Sequence, residues 1–192
     1  LERTVLPVRN KIKGRLHEKD FWKHYDKRTS EFAQLSNDQP FFVKARDSDK
    51  RCWQFIDLPR KSLINSKVII FKFRHSFLKG ILQSLMHKTW CEKDGSFIGG
   101  AFTYNPTLCL ETFPFPAFSE QIAKGWDNYN SLREKLMNEK GLSLGHIAEI
   151  INHKHVHGPG AELQNAHAEL NRLVLQQYQL DELYGDLSLI HI

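Results

Sequence analysis

The sequence predicts an α+β fold, in which a small mixed α/β domain is followed by an all-α helical domain. Up to residue 116, short runs rich in aromatic and β-branched residues alternate with turns, as is typical of strands. Beyond Pro116, apolar residues recur at helical spacing. Charge changes at the same point, since residues 1–116 carry a net charge of +9 and residues 117–192 carry −4, which sum to the overall +5. We expect a lead-in arm over residues 1–30, a mixed domain over 31–116 and a helical domain over 117–192.

The arm combines basic residues with Phe21, Trp22 and Tyr25, and we expect it to be partly helical and to pack these aromatic rings against the body. The runs "FFVKARD" and "CWQFID" flank the polar "SDKR" and predict a hairpin. "SKVIIFKF", residues 66–73, is the strongest strand signal in the chain. Its uninterrupted apolar run predicts burial on both faces.

A helix is predicted from about His75 to Trp90, because apolar residues recur there every three to four positions. A glycine-containing loop, "CEKDGSFIGGAFTYNPT", follows, and "LCLETF" is expected to form another strand. This strand ends at "FPFP", residues 113–116, where two prolines fix φ and exclude a helix. We interpret the segment as a stiff connector whose rings dock on another surface.

Three helices are predicted after the connector. In the first, Ile122, Trp126, Tyr129 and Leu136 share one face, and they are expected to form core. The second covers "LSLGHIAEIIN", and the third begins after "HGPG". Its apolar face is marked by Leu163, Ala166, Leu170, Leu173 and Val174.

The cysteine pattern favours a reduced, cytoplasmic protein. Cys52, Cys91 and Cys109 are odd in number and widely spaced, so they indicate no disulfide framework. No stretch approaches the roughly 20 apolar residues of a membrane helix, and the first residues lack an apolar signal core. Neither Cys91 nor Cys109 has a neighbouring histidine in sequence, so a thiol nucleophile is not expected.

The excess of Lys and Arg before residue 117 has two interpretations. A basic surface can simply aid solubility. It can also bind a polyanion, because cations facing phosphates release counterions and supply much of the affinity for nucleic acid.

The order of the segments resembles the C-terminal part of large adenine-specific DNA methyltransferases. The resemblance rests on "SKVIIFKF", on "FLKGILQSLMHKTWC", on "YNPTLCLETFPFP" and on the closing "HAELNRLVLQQYQLDELYGD". It is strongest to the MmeI-like type IIL and type IIG restriction–modification enzymes and to related phage-defence methyltransferases of bacteria. In that family a Y-x-P-T … F-E-T-F-P-F-P segment closes the target recognition domain, and a helical domain follows. The residues here that match this segment are Tyr104, Pro106, Thr107, Glu111, Phe113, Pro114, Phe115 and Pro116.

The resemblance implies a DNA-recognition fragment of a larger enzyme. The family's glycine-rich S-adenosylmethionine loop and its Asn/Asp-Pro-Pro-Tyr/Phe motif are absent, since the chain contains no Pro-Pro and its only Gly-Gly is Gly99–Gly100. We therefore expect no catalytic residue, metal or cofactor in this chain. The parent is expected to use S-adenosylmethionine to methylate adenine at N6, with or without an endonuclease. The expected partners are double-stranded DNA and the N-terminal methyltransferase domain of the same parent chain.

Two sets of residues are candidates for contact with DNA. Base reading requires rigid polar groups that reach base edges, and the loop after the first helix offers several, although Asp94 and Gly95 alternatively form a simple turn. The candidates for base reading are Glu92, Lys93, Asp94, Ser96 and Asn105. The candidates for contact with the DNA backbone are Lys44, Arg46, Lys50, Arg51, Arg60, Lys61, Lys72, Arg74 and Lys79.

Other functional classes remain open at this stage. A metal-dependent hydrolase is one, because His153, His155 and His157 alternate; the competing interpretation is an exposed loop, with the flanking His146 at a helix surface or cap. A protein–protein scaffold that docks a partner on Phe113 and Phe115 is the other. Glu111 lacks a second acid at catalytic spacing, so we expect it to accept hydrogen bonds inside the fold.

Overall fold

The structure, a computed structural model, describes residues 40–62, 64–98, 101–153 and 156–180, together with Pro7. From residue 40 onwards these belong to one compact unit, Gln39–Ile192. The predicted lead-in arm lies outside the described residues except for Pro7. The elements in chain order are β1 (Phe41–Ala45), β2 (Asp47–Ser48), β3 (Phe55–Leu58), β4 (Val68–Phe71), α1 (Ser76–Gln83), α2 (Leu85–Asp94), β5 (Ser96–Ile98), β6 (Ala101–Thr103), α3 (Pro106–Cys109), α4 (Glu120–Lys140), α5 (Leu144–Asn152) and α6 (Pro159–Gln177).

The strands form two small antiparallel sheets. Sheet 1 has the order β3-β1-β4, and sheet 2 has the order β2-β6-β5. The predicted antiparallel pairing of "FFVKARD" with "CWQFID" is confirmed, since Phe41 pairs with Leu58 and Lys44 pairs with Phe55. Arg46 joins the sheets, because its N–H donates to the carbonyl of Lys67 (2.7 Å) and its carbonyl accepts from Tyr104 N–H (2.8 Å).

The predicted burial of "SKVIIFKF" on both faces is wrong. The strand exists as β4, but only Phe71 is buried, and Val68, Ile69 and Ile70 are half-buried. The cause is position, because β4 is an edge strand of sheet 1 and the central strand is β1. An edge strand lacks a second neighbour to cover it.

The predicted helix from His75 to Trp90 is broken at Ser84, which is extended (φ −67°, ψ 157°) and caps α2 by accepting from His87 N–H. Tertiary hydrogen bonds hold the break. Asn171 Oδ1 accepts from the N–H of Leu85 (2.8 Å), and Gln83 Nε2 donates to the carbonyl of Trp53 (2.8 Å).

Two further expectations about the middle of the chain are corrected. The predicted glycine-containing loop contains a hairpin, β5–β6. "LCLETF" is not a strand, because Pro106 begins the short helix α3 and Asn105 caps it, its Oδ1 accepting from Thr107 N–H (3.0 Å). Proline suits a helix's first turn, where no N–H is needed.

The three predicted C-terminal helices are confirmed as α4, α5 and α6. Ile122, Trp126, Tyr129 and Leu136 are all buried along α4. This helix also covers sheet 1, since the rings of Phe42 and Trp126 meet edge-on at 5.8 Å. The helix also packs closely on α1, where a Cβ added to Gly80 would lie 3.0 Å from Ile122.

A buried polar cluster fastens α4 to β3. Arg133 donates from Nη1 to Gln54 Oε1 (3.0 Å) and to the carbonyl of Phe55 (2.6 Å). Tyr129 donates its hydroxyl to the same Gln54 oxygen (2.9 Å). The two predicted regions therefore share one core, and the overall α+β class with a helical C-terminal part is confirmed. The boundary at residue 116 stays a prediction.

Candidate nucleic-acid interface

One group of exposed cations lies where β1 begins. Because Phe41 pairs with the last residue of β3, the turn that carries Arg60 and Lys61 is at this end of sheet 1. Lys72 and Arg74 follow β4 at the same end. Lys61, Lys72 and Arg74 are exposed, whereas Arg60 is half-buried with its guanidinium 4.4 Å from the ring centre of Phe41. We call these four cations the Phe41-end cluster.

A second group lies where β1 ends. Arg46 directly follows β1, and its backbone bond to Lys67 places these two residues side by side. Lys50 and Arg51 sit in the turn after β2. All four are exposed, and we call them the Ala45-end cluster. The five residues of β1 separate the two clusters by about 16 Å, at the usual strand rise.

Acidic neighbours partly offset the Ala45-end cluster. Lys67 Nζ lies 3.6 Å from Asp47, and Arg51 pairs with Asp49 at 3.1 Å. The hydrogen bond from Arg51 lowers the pKa of Asp49 to about 2. Such exposed pairs contribute little stability and are screened by salt. In the described part of the chain Arg46 and Lys50 form no ion pair, so they are the cations of this cluster most available to an anion.

Lys44 does not belong to this surface, contrary to the prediction. Its side chain is 1% exposed, because both faces of β1, the central strand of sheet 1, are covered. The ammonium lies 4.4 Å from the ring centre of Trp53 and 5.3 Å from that of Phe55, and it has no hydrogen-bond partner among the described residues. Desolvation lowers the pKa of Lys44 to about 8. A phosphate cannot reach this group without unfolding the sheet.

Lys79 is also unsuited to the predicted contact with the DNA backbone. Its Nζ donates to both carboxylate oxygens of Asp57 at 2.7 Å, and the two side chains are only 12% and 18% exposed. A bidentate, mostly buried partner neutralises the charge. Lys79 therefore ties α1 to β3.

The predicted base-reading residues all adjoin sheet 2. Lys93 is exposed in the last turn of α2, and Glu92 is half-buried with Oε1 3.9 Å from Lys88 Nζ. Asp94 and Ser96 are the last residue of α2 and the first residue of β5. The fifth, Asn105, follows β6 but already uses its Oδ1 to cap α3.

The phenylalanine–proline connector is anchored on one side and open on the other. Phe113 is 4% exposed, and its ring meets that of His87 edge-on at 4.6 Å. The carbonyl of Pro114 accepts from the hydroxyl of Tyr178 at 2.7 Å, which ties the connector to the end of α6. Phe115 is 39% exposed. The expected docking of rings is confirmed for Phe113. Of the two rings that the scaffold hypothesis requires at the surface, only Phe115 is exposed.

The rest of the family-motif residues divide between core and surface. Tyr104 is 1% exposed, whereas Thr107 and Glu111 are exposed and Pro116 is half-buried. The expectation that Glu111 accepts hydrogen bonds inside the fold is therefore wrong. Its position in a turn after α3, and not in a strand, places the carboxylate at the surface.

The histidines give no support to a metal centre in the described residues. His153 and His157 are exposed, and His155 lies outside the described part of the chain. His146 caps α5, because its Nδ1 accepts from Ser143 N–H at 3.2 Å, as the cap interpretation predicts. Within the described ranges no three His, Cys, Asp or Glu side chains come together as metal ligands. No described helix combines the length and apolar character that crossing a membrane demands.

Sequence reasoning missed a buried cluster around His87. Its Nε2 lies 3.0 Å from the hydroxyl of Tyr104 and 3.5 Å from Sγ of Cys91. Burial, and then the charge of Lys44, lower the pKa of His87 to about 3. A hydrogen bond with Cys109, together with burial, raises the pKa of the Cys91 thiol. Both groups are neutral at physiological pH, so they pack the core and do not form a nucleophile–base pair. The i, i+4 spacing of His87 and Cys91 was the available signal.

Comparison with known proteins links this fold to DNA-modifying enzymes. No known family model matches the chain. Over 129 residues, which are 65% of this chain, it is 27% identical to DNA methyltransferase A of Bacillus subtilis (strain 168). Its structure matches that of the type IIL restriction–modification enzyme MmeI, solved in complex with DNA, with a TM-score of 0.72 and 18% identity over 97% of this chain. The chain spans 14% of the former protein and 26% of the latter. It therefore has the fold of about a quarter of a type IIL restriction–modification enzyme.

Proposed function

We propose that this chain is the double-stranded-DNA recognition module of a larger S-adenosylmethionine-dependent adenine-N6 DNA methyltransferase of the restriction–modification class. The observation that carries the proposal is the likeness in fold, over 97% of this chain, to MmeI, which was solved in complex with DNA. The 27% identity to part of a DNA methyltransferase supports the same conclusion independently of the fold.

The two cationic clusters supply the sequence-independent part of binding. Their separation of about 16 Å along β1 exceeds the roughly 12 Å width of a major groove. Cations at this spacing can contact phosphates on the two sides of one groove. Such contacts fix the register and orientation of a protein on the duplex, but they carry no sequence information.

Sequence reading is assigned to the segments around sheet 2. Lys93 is exposed there, and lysine can donate to guanine O6 and N7. Glu92 and Asn105 are half-buried in the same region, and carboxylates accept from the cytosine amine. Asp94 and Ser96 are included in this proposal because they are the last residue of α2 and the first residue of β5.

Chemistry is assigned to another part of the parent enzyme. The target amine of adenine is inaccessible in stacked DNA, so a methyltransferase must extrude the base into a pocket that holds the methyl donor. This chain lacks the sequence motifs for that pocket, which we assign, with S-adenosylmethionine, to an N-terminal methyltransferase domain of the parent. The acidic helical region, residues 117–192, then serves as a scaffold for the recognition elements.

A salt titration of binding to a random duplex, followed by fluorescence anisotropy, tests the proposal. We compare the wild-type chain with the double variants Arg46→Glu/Lys50→Glu and Lys61→Glu/Arg74→Glu. Lys135→Glu, at an exposed position of α4, is the matched control. Each lost phosphate contact reduces the slope of log K against log salt by about one unit.

The expected result is steep salt dependence for the wild-type chain and the control, with a slope that is shallower by about two in each double variant. Wild-type chain that fails to bind duplex at low salt would contradict the proposal. Equal weakening by the control would contradict the assignment of the clusters.

A further inference from the structure

Sheet 2 carries an exposed aromatic ring that belongs neither to the two cationic clusters nor to the core. Phe97 is 50% exposed on the edge strand β5. It pairs with Phe102 across the hairpin, and the two rings meet edge-on at 5.7 Å. Phe102 is 1% exposed and contacts the ring of Trp53 at 5.7 Å. One edge of the Phe97 ring therefore rests on the aromatic core, and the remainder faces solvent.

The base of this hairpin is held tightly. At Gly95, which leads from α2 into β5, a Cβ would lie 2.3 Å from the carbonyl oxygen of Cys91 and 2.4 Å from the ring of Phe102. Only glycine permits so close an approach. Because α2 and the buried ring fix the strand, Phe97 is presented with little freedom to lose on binding.

Cations flank this ring at both ends of sheet 2. Arg46 precedes β2, and Lys93 precedes β5, at one end of the sheet. Because β2 runs antiparallel to β6, the turn with Lys50 and Arg51 lies at the other end of the sheet, where β5 ends at Ile98 and β6 begins at Ala101. The carboxylates nearest to this surface along β2, those of Asp47 and Asp49, are already paired with cations. An exposed aromatic ring between cations fits a polyanion that also offers apolar contacts.

From this arrangement we infer that Phe97 contacts base edges in the major groove of DNA and recognises the C5-methyl group of thymine. The inference rests on the proposed function and deepens it. The major groove admits a two-stranded β-ribbon such as β5–β6. Thymine displays its methyl group there, and phenylalanine is one of the side chains that contact it. Phe97 thus adds an apolar contact to the polar groups around sheet 2.

Photo-cross-linking tests the position of the ring. Duplexes are enriched by the wild-type chain from a random pool, and their thymines are replaced by 5-iododeoxyuridine, whose iodine occupies the place of the methyl group. After irradiation, mass spectrometry is expected to locate the cross-link on Phe97. Phe97→Ala should abolish this cross-link and keep the salt slope. Phe118→Ala is the control, because Phe118 is 62% exposed but lies beside the start of α4.

Affinity measurements test the recognised group. Replacing one critical thymine by deoxyuridine removes one methyl group, and for the wild-type chain we expect about a fourfold loss of affinity, the factor that corresponds to burying one methyl. The same replacement should leave the affinity of Phe97→Ala unchanged. Duplex binding with a normal salt slope, but with no cross-link to Phe97 or with equal deoxyuridine sensitivity in the variant, would overturn the inference alone. Failure of the wild-type chain to bind any duplex would overturn the proposed function as well.

Discussion

Lys44 is a buried lysine whose ammonium lies over aromatic rings and has no hydrogen-bond partner among the described residues, so its replacement by Met should stabilise the chain at neutral pH. Met has a similar length and no charge to desolvate. The ammonium lies 4.4 Å from the ring centre of Trp53, a contact that offsets part of the cost of burial. The depressed pKa of about 8 shows that the offset is incomplete.

The size of the effect follows from linkage between protonation and folding. The pKa of Lys44 is about 8 in the folded chain and 10.5 in its reference state. Below pH 8 Lys44 is charged in both the folded and the unfolded chain, so the folded chain bears the full cost of burying the charge. That cost is about 3 kcal/mol, at 1.36 kcal/mol per pKa unit. Between pH 8 and 10.5 the unfolded state binds more protons, so the stability of the wild-type chain rises with pH relative to the variant.

The assay is urea unfolding of the 192-residue chain by tryptophan fluorescence at pH 7 and pH 10. Lys44→Met is expected to be more stable by about 2 to 3 kcal/mol at pH 7, and most of this advantage should be lost by pH 10. Lys135→Met, at an exposed position, should show little change at either pH. A Lys44→Met variant that is less stable than wild type at pH 7 would refute the reasoning, since the aromatic contacts would then outweigh desolvation.

Three further predictions concern the free energy of unfolding, measured in the same way. The pKa of His87 is about 3 in the folded chain, so only the unfolded chain binds its proton between pH 6.5 and pH 5, and the free energy of unfolding should fall by about 2 kcal/mol over that range. His87→Gln should remove most of this pH dependence. A variant whose stability falls with acid as the wild type's does would contradict the assignment. Gly95→Ala should destabilise the chain by more than about 2 kcal/mol, because the added Cβ overlaps its neighbours. Gly145→Ala in α5 should instead stabilise it by about 0.5 to 1 kcal/mol. Equal effects of the two substitutions would contradict the close approach of Cys91 and Phe102 to Gly95. Arg133→Met should lower the free energy of unfolding by about 2 to 4 kcal/mol, because the buried carbonyl of Phe55 loses its hydrogen-bond donor. An unchanged stability would contradict this prediction and show that water replaces the guanidinium.

The helical region was predictable because its signal is local. Apolar residues at helical spacing located α4, α5 and α6, and the caps Ser119 and Ser143 are ordinary helix-start residues. The break at Ser84 was not predictable, because it depends on Asn171, which is far along the chain. The short run "LCLETF" was ambiguous for another reason, since an apolar run of that length does not distinguish a strand from a single helical turn.

For the candidate interface, the sequence indicated which cations are candidates but not how they are arranged. Lys50 and Arg74 are exposed, as their candidate role requires, and their contact with DNA stays a prediction. Lys44 was misassigned, because alternation along a strand assumes one solvent-exposed face. In β1 the consecutive residues Phe41 to Lys44 are all buried, so both faces of the strand are covered. Grouping the cations at the two ends of β1 required the strand register, which sequence alone does not supply.

Sequence-selective binding is the most direct test of the central claim that this chain reads DNA. The chain is used to enrich duplexes from a random pool, and the affinity of the enriched duplex is compared with that of variants carrying single base-pair substitutions. We predict that substitution at one or more positions weakens binding about tenfold, within the range of 1 to 3 kcal/mol per mismatched pair, while the salt slope is unchanged. Enrichment of no common sequence, with equal affinity for every duplex, would contradict the claim and leave only a general affinity for polyanions.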